Sequence, residues 1–193
     1  MSLLLLGPTN WVPGYRPKIP GWVTSVLPPG RTVEGIPTPS ARDVRCGLVA
    51  RLRLANVKAT MMELHETRSG EDPEAKLARV IQEDEVDLYA MFWPWGGART
   101  GLDVEIGWLL KSIRVGEVDP VNVAAFYEWD SEGRKAADIV TRKDGTGAFQ
   151  SLEDHRRTTY YESLVARGAV PIAWSTYEDL LEFLEEFGRS FPP

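Results

Sequence analysis

The chain has 193 residues, a single cysteine and a formal net charge of −6, with 43% hydrophobic and 26% charged residues. This length fits one domain with a full-sized core, so we expect residues 1–193 to form a single domain. The lone Cys46 excludes an internal disulfide and a cysteine-based zinc site, and the acidic balance argues against a nucleic-acid polymer as a partner.

The opening segment Met1–Pro8 carries an apolar run, Leu3–Leu6, without a basic stretch before it. We therefore interpret it as a first strand rather than a signal sequence. No apolar run approaches the ~18 residues needed to span a membrane. His65 and His155 lie far apart in the sequence, which disfavours a histidine-rich metal site. These features predict a cytoplasmic protein with no membrane partner, no metal and no cofactor.

Five short apolar runs predict buried strands: Leu3–Leu6, Ala59–Leu64, Asp87–Pro94, Asn122–Trp129 and Ala169–Ser175. Most are continuous rather than alternating, which is typical of a sheet covered on both faces. Segments with helical spacing lie between or after them: 41–55, 74–83, 103–114, 152–167 and 177–187. The last two begin with capping-box-like pairs, Ser151 with Asp154 and Thr176 with Asp179.

This alternation of strands and helices predicts an α/β fold, a three-layer sandwich around a five-stranded, mainly parallel sheet. Right-handed crossovers favour the flavodoxin-like or Rossmann-like strand order 2-1-3-4-5, in which the order reverses between strands 1 and 3. Ligands bind such sheets at the carboxyl ends of the strands near that switch point. Two loops leave there, residues 8–39 and residues 94–103.

The first of these loops, residues 8–39, holds eight of the chain's 14 prolines together with Trp11, Tyr15 and Trp22. One interpretation is a proline-stiffened flap that packs its own aromatic rings. The other is a lid over the site, whose rings stack on a base or a sugar. The two interpretations are compatible.

The second loop leads into the segment that carries most of the functional signal. A buried strand runs into a glycine-rich turn, and a helix then opens with Asp103 and Glu105 in its first turn. The helix dipole favours acids at this position and is expected to keep them ionised. An ionised carboxylate at this edge of the sheet is a candidate nucleophile, although such acids also occur purely as dipole partners. Gly107 would let another group approach.

Two stretches resemble the nucleoside 2-deoxyribosyltransferase family. Gly101-Leu-Asp-Val-Glu-Ile-Gly-Trp-Leu-Leu110 is similar to its Gly-x-x-x-Glu-[Ile/Leu]-Gly element, and Leu3-Leu-Leu-Leu-Gly-Pro-Thr-Asn10 is similar to its first strand and turn. The resemblance covers roughly residues 2–12 and 86–127. It implies the same α/β sandwich.

The resemblance also implies a mechanism. Glu105 would attack the anomeric carbon of a nucleoside, form a glycosyl-enzyme ester and release the base. The sugar would then pass to another base or to water, through an oxocarbenium-like transition state. The departing base needs a proton or strong hydrogen bonds, because a ring-nitrogen anion leaves poorly.

The chain departs from the family pattern at the supporting acids. Arg99 stands six positions before Glu105, where several members carry an acid that orients the sugar, and Asp103 is the candidate substitute. The acid that reads the base has no match, and the corresponding region offers Lys76 and Arg79. Basic residues in place of acids favour a phosphate-bearing substrate, as in the branch that hydrolyses nucleoside 5′-monophosphates.

The remaining substrate-binding candidates surround the same sheet edge, and each also has a plain structural interpretation as a turn or packing residue. They are Pro8, Thr9, Asn10, Trp11, Trp93, Arg99, Gly101, Tyr127 and Asp130. The resembled family often completes its pocket with a neighbouring subunit. A homo-oligomer is therefore expected, with an aromatic rim of Trp93, Trp95, Trp108 and Trp129 as a candidate interface.

Three other functions remain open. A TIR-like NAD-cleaving enzyme has a similar fold and uses one glutamate near a ribose anomeric carbon. A phosphoribohydrolase carries Pro-Gly-Gly-x-Gly-Thr-x-x-Glu, which the segment from Trp95 to Glu105 echoes with proline replaced and the glutamate displaced downstream. A catalytically silent nucleotide-binding or sensor protein would explain the missing acids.

Overall fold

A computed structural model of the chain describes residues 2–11, 17–25, 39–94, 96–97, 102–128 and 160–189. The strands are β1 (Ser2–Leu6), β2 (Ala59–Thr60), β3 (Val86–Trp93), β4 (Val123–Glu128) and β5 (Val170–Trp174). They form one sheet in the order β2-β1-β3-β4-β5, and every pairing is parallel. The predicted strand order is therefore confirmed, and β1 and β3 are neighbours at the switch point.

Helices cover both faces of this sheet. They are α1 (Gly21–Thr24), α2 (Ala41–Leu54), α3 (Pro73–Glu83), α4 (Leu102–Val115), α5 (described over residues 160–165) and α6 (Tyr177–Arg189). The core residues of α2 and α6 pack on one face and those of α3, α4 and α5 on the other. Because both faces are buried, the central strands carry the continuous apolar runs seen in the sequence.

The pleat of each strand sends alternate side chains into the two cores. In β1, Leu3 and Leu5 join the α2 and α6 core, whereas Leu4 and Leu6 join the α3, α4 and α5 core. Strands β1 and β3 shift register between Ser2 and Leu3 and then pair residue by residue from Leu3 to Leu6, with Leu5 opposite Ala90. The three central strands therefore end close together at their carboxyl edge.

The structure differs from the sequence prediction at two local elements, strand β2 and helix α1. The predicted strand Ala59–Leu64 is too long, because β2 ends at Thr60 and Met62–Leu64 forms a 3₁₀ turn. Helix α1 lies inside the proline-rich loop and was not predicted, since four residues are too few for a periodic apolar stripe.

The predicted capping pair Thr176 and Asp179 is confirmed by reciprocal backbone and side-chain hydrogen bonds of 3.1 and 3.3 Å. Ser151 and Asp154 lie outside the described residues. Among the described helices, none has the length and apolar content that a membrane crossing requires.

Helix α2 begins with a capping box that fixes it against the loop after β1. The Ser40 hydroxyl accepts a hydrogen bond from the Asp43 amide at 3.1 Å, and the Asp43 carboxylate accepts one from the Ser40 amide at 2.9 Å. The Arg42 amide donates to the Thr9 carbonyl at 3.0 Å. Such caps contribute about 1 kcal/mol each, and this one places the first turns of α2 beside the end of β1.

Candidate functional site

The loops after β1 and β3 meet at the carboxyl edge of the sheet. Trp11 and Gly97 form an isolated antiparallel bridge between them. A Cβ placed on Gly97 would lie 2.7 Å from Pro8 Cγ, so the absence of a side chain lets the two loops touch. The Trp11 indole donates to the Pro39 carbonyl at 2.7 Å, which ties the same loop to the entrance of α2.

Glu105 lies in the first turn of α4 and points into this junction. Its side chain is buried, with the residue 6% exposed. Its Oε2 atom accepts a hydrogen bond of 3.1 Å from the Gly7 amide, at the turn that follows β1. The carboxyl group is therefore held at the switch point between β1 and β3, the position at which sheets of this order bind ligands.

Gly7 is the residue that brings the β1 turn this close. Its φ is +153°, and a Cβ placed on it would lie 2.7 Å from the Phe92 carbonyl oxygen and 3.3 Å from Arg45 Cδ. A side chain would therefore push the turn away from β3 and α2. The amide that Glu105 uses would move with it.

Replacing Gly7 with Ala is expected to lower the free energy of unfolding by about 1–3 kcal/mol, the usual cost of overpacking a filled site. Urea denaturation followed by circular dichroism measures this change. Gly107→Ala on α4 is the matched control, because no heavy atom beyond its chain neighbours and the backbone of its own helix lies within 4 Å of its Cβ position. That control should stabilise the helix by up to about 1 kcal/mol. Equal effects of the two substitutions would contradict the steric interpretation of Gly7.

A buried ion pair stands behind Glu105. Arg45, on α2, is 0% exposed, and it pairs with the carboxylate of Glu63 from the 3₁₀ turn after β2. Its Nε donates to the Pro8 carbonyl at 3.2 Å and its Nη1 to the Leu5 carbonyl at 3.4 Å. Sequence reasoning missed both residues, although one signal was present. Arg45 is spaced three and seven positions before Leu48 and Leu52, on the apolar side of the predicted helix.

Burial dominates the ionisation of Glu105. It raises the pKa of this carboxyl from 4.5 to about 7, with Glu63 adding to the rise, while Arg45 and the Gly7 amide oppose it. The expectation that the helix dipole keeps Glu105 ionised is therefore not met, because burial moves the pKa of this carboxyl into the neutral range. Desolvation outweighs the dipole because the side chain points inward rather than into water.

Asp103 is not brought to Glu105. It is exposed and accepts a hydrogen bond from the Tyr160 hydroxyl. It lines a groove of about 530 Å³ between α3 and α4, together with residues such as Asp72 and Lys111. Side chains two positions apart on a helix face different directions, so the expected sharing of one site by Asp103 and Glu105 is not met.

The turn residues predicted to bind substrate have structural partners. Pro8 is buried and gives its carbonyl to Arg45. Thr9 is half-buried, and Asn10 is exposed and donates to the Thr9 hydroxyl at 3.4 Å. Trp11 is half-buried and packs against the α2 and α6 core. Of this group, Asn10 presents the most open side chain.

Trp93 and Tyr127 are core residues in this structure, with exposures of 0% and 1%. They pair across β3 and β4 and both contact Tyr161 of α5, with ring centroids 6.1 and 4.8 Å away. A fully buried ring offers no face for stacking, so the packing alternative holds for Trp93 and it is not part of an aromatic rim.

Two further aromatic residues, Tyr161 and Trp108, lie on the same side of the sheet. Burial raises the pKa of the Tyr161 hydroxyl, and Tyr161 was not foreseen from the sequence. Trp108 is half-buried, with its ring 5.7 Å from that of Tyr89. Five further candidates lie outside the described residues: Trp95, Arg99, Gly101, Trp129 and Asp130.

The site thus offers one buried carboxyl group of near-neutral pKa, which can act as a nucleophile or exchange a proton. In the part of the chain that the structure describes, no three side chains of His, Cys, Asp or Glu are grouped so as to hold a metal ion. The chain has no significant match among protein-family models, curated proteins or solved structures.

Proposed function

We propose that this protein cleaves or transfers the N-glycosidic bond of a nucleoside or a nucleoside 5′-monophosphate, with Glu105 as the nucleophile. One observation carries the proposal: a buried carboxyl group at the switch point of a 2-1-3-4-5 sheet, held by the Gly7 amide at 3.1 Å. The motif resemblance around Glu105 to nucleoside 2-deoxyribosyltransferases supports the same assignment.

The geometry suits a double displacement. The Gly7 amide holds Oε2, which leaves Oε1 to attack the anomeric carbon. As the new C–O bond forms, the C–N bond breaks, its electron pair goes to the base nitrogen, and the base takes up a proton from solvent. Attack by water or a second base on the anomeric carbon then breaks the ester bond, releases a proton to solvent and restores the carboxylate. A poorly hydrated carboxylate also stabilises the positive charge that develops on the sugar.

The choice between a nucleoside and its 5′-monophosphate depends on positive charge near the site. Arg79 was a candidate for the phosphate, but its guanidinium is occupied by Glu71 and Glu83 at distances of 2.6 and 2.8 Å. Lys76, like Arg79, is half-buried, and it donates to the Thr67 hydroxyl at 3.1 Å. These two residues therefore give no support to a phosphate-bearing substrate. Nucleosides and nucleoside 5′-monophosphates should accordingly both be assayed.

The test is base release from a panel of nucleosides, nucleoside 5′-monophosphates and NAD, analysed by chromatography with and without an acceptor base. We expect release from one of the first two classes. The rate should rise about ten-fold between pH 6 and pH 8, because the nucleophile must be ionised and the pKa of Glu105 is about 7.

The other outcomes of this assay favour other functions. Release from NAD alone would replace the proposal with the TIR-like alternative. Nucleotide binding in calorimetry, without base release from any substrate, would favour the sensor. A rate that falls between pH 6 and pH 8 would argue that Glu105 acts as an acid rather than as the nucleophile.

A further inference from the structure

The position of Arg45 calls for an explanation, because a buried charge is costly unless every donor finds a partner. Arg45 is 0% exposed. Its guanidinium donates to the carbonyls of Leu5 and Pro8 and pairs with Glu63. The two carbonyls flank Gly7, whose own amide donates to Glu105. One side chain therefore holds both sides of the turn that presents the hydrogen bond to the carboxyl group.

We propose that Arg45 is the positioning residue of this site. It fixes the turn after β1 so that the Gly7 amide and the Glu105 carboxyl stay in contact, and together with Glu63 it sets the charge balance at Glu105. The kinetic part of this inference rests on the proposed function. The structural and electrostatic parts do not.

The contacts of Arg45 require the shape of its head group as well as its charge. Three different nitrogen atoms reach three acceptors, which a planar guanidinium can do and a single ammonium group cannot. The aliphatic stem of Arg45 also runs beside the turn, since its Cδ would lie 3.3 Å from a Cβ placed on Gly7. Lysine at this position would keep the positive charge but could not donate to the carbonyls of Leu5 and Pro8 at the same time.

The charge balance at Glu105 is set by the groups that face its carboxyl from the elements packed against it. These are Arg45 from α2, Glu63 from the turn after β2 and the Gly7 amide from the end of β1. Arg45 lowers the pKa of Glu105 and Glu63 raises it. The two members of the ion pair therefore act in opposite directions on the carboxyl group beside them. The second carboxylate oxygen of Glu63 is buried and has no hydrogen-bond partner among the described residues.

The test is a ¹³C NMR titration of the Glu105 carboxyl in the full-length protein labelled at glutamate, with the resonance assigned by its loss in Glu105→Gln. Glu63→Gln should move the apparent pKa of Glu105 down by about one unit, and Arg45→Met should move it up by about one unit, as expected for removal of a close charge. Arg45→Lys should shift it less, because the charge is kept. Arg53→Lys is the matched control, since Arg53 also lies on α2 and donates to a backbone carbonyl, that of Ala59. It should leave the titration unchanged.

Kinetics supply the second readout. Arg45→Lys should lower kcat for base release about ten-fold or more with little change in KM, because misplacement of the nucleophile affects the transition state rather than substrate binding. A merely structural role would lower stability without moving the Glu105 titration. If Arg45→Met does not fold, Glu63→Gln alone decides the electrostatic part.

Two results separate this inference from the proposed function. Shifts in opposite directions for the two partners support the electrostatic part of the inference, even if the wild-type protein releases no base from any substrate. In that case the proposed function fails and the electrostatic inference stands. A Glu105 pKa that stays fixed in Glu63→Gln, or that moves up in this variant, overturns the inference.

Discussion

Replacing Glu105 with Gln is expected to reduce base release by at least about 10³-fold, as for loss of the nucleophile in covalent catalysis. Glutamine has the same shape and keeps an oxygen that can accept the Gly7 hydrogen bond. It cannot form the glycosyl ester, because a neutral amide oxygen is a poor nucleophile. The measurement is kcat/KM for base release at pH 8, where most of the wild-type carboxyl groups are ionised.

Glu182→Gln is the control for this substitution. It makes the same chemical change on α6, at an exposed position far from the site in sequence, and it should leave kcat/KM unchanged. Mass spectrometry of the wild-type protein quenched during turnover should also detect a sugar adduct on the peptide that contains Glu105. Full activity in Glu105→Gln would remove Glu105 from the mechanism.

The second large effect concerns stability. The pKa of Glu105 is raised from 4.5 to about 7 in the folded protein. Between these values the native state keeps a proton that the unfolded chain has lost. The free energy of unfolding should therefore fall as pH rises from 4.5 to 7, by about 3 kcal/mol in total for a shift of this size. Above pH 7 the loss from this group is complete.

Glu105→Gln should remove this dependence, because the amide does not titrate. Relative to wild type, the variant should gain about 3 kcal/mol of unfolding free energy between pH 4.5 and pH 8, measured by urea denaturation at several pH values. Glu182→Gln should retain the wild-type slope. The pKa of Glu71 is lowered to about 2 by hydrogen bonds from Arg79 and Arg68, so its effect appears only below pH 4.5. If the free energy of unfolding of the variant differed from that of wild type by the same amount at every pH in this range, the pKa of Glu105 would not be raised in the folded protein.

The fold could be predicted from the sequence because its signals are local and repeated. The continuous apolar runs of β1, β3 and β4 mark strands buried on both faces, and the helices between them leave few permitted topologies. The location of Glu105 could be predicted in the same way, because the strand, the glycine-rich turn and the start of the helix all lie within one continuous segment. Strand order then placed that segment at the switch point.

The surroundings of Glu105 could not be predicted because they arise from contacts between distant segments. Arg45 and Glu63 come from α2 and from the turn after β2, and neither stands near Glu105 in the sequence. The direction of Asp103 depends on which face of α4 packs inward. The raised pKa of Glu105 likewise depends on burial, which local composition does not report.

The hydrogen bond between Gly7 and Glu105 joins residues 98 positions apart. Strand β1 pairs with β2 and β3, both of which follow it along the chain. A nascent chain emerging from the ribosome therefore carries its first strand without a partner until the residues of β2 and β3 have been synthesised. The Gly7 amide can donate to the Glu105 carboxyl group only after α4 has also been synthesised. Amide hydrogen exchange at Gly7 would consequently report the packing of β3 and α4 against β1 rather than the formation of any local turn.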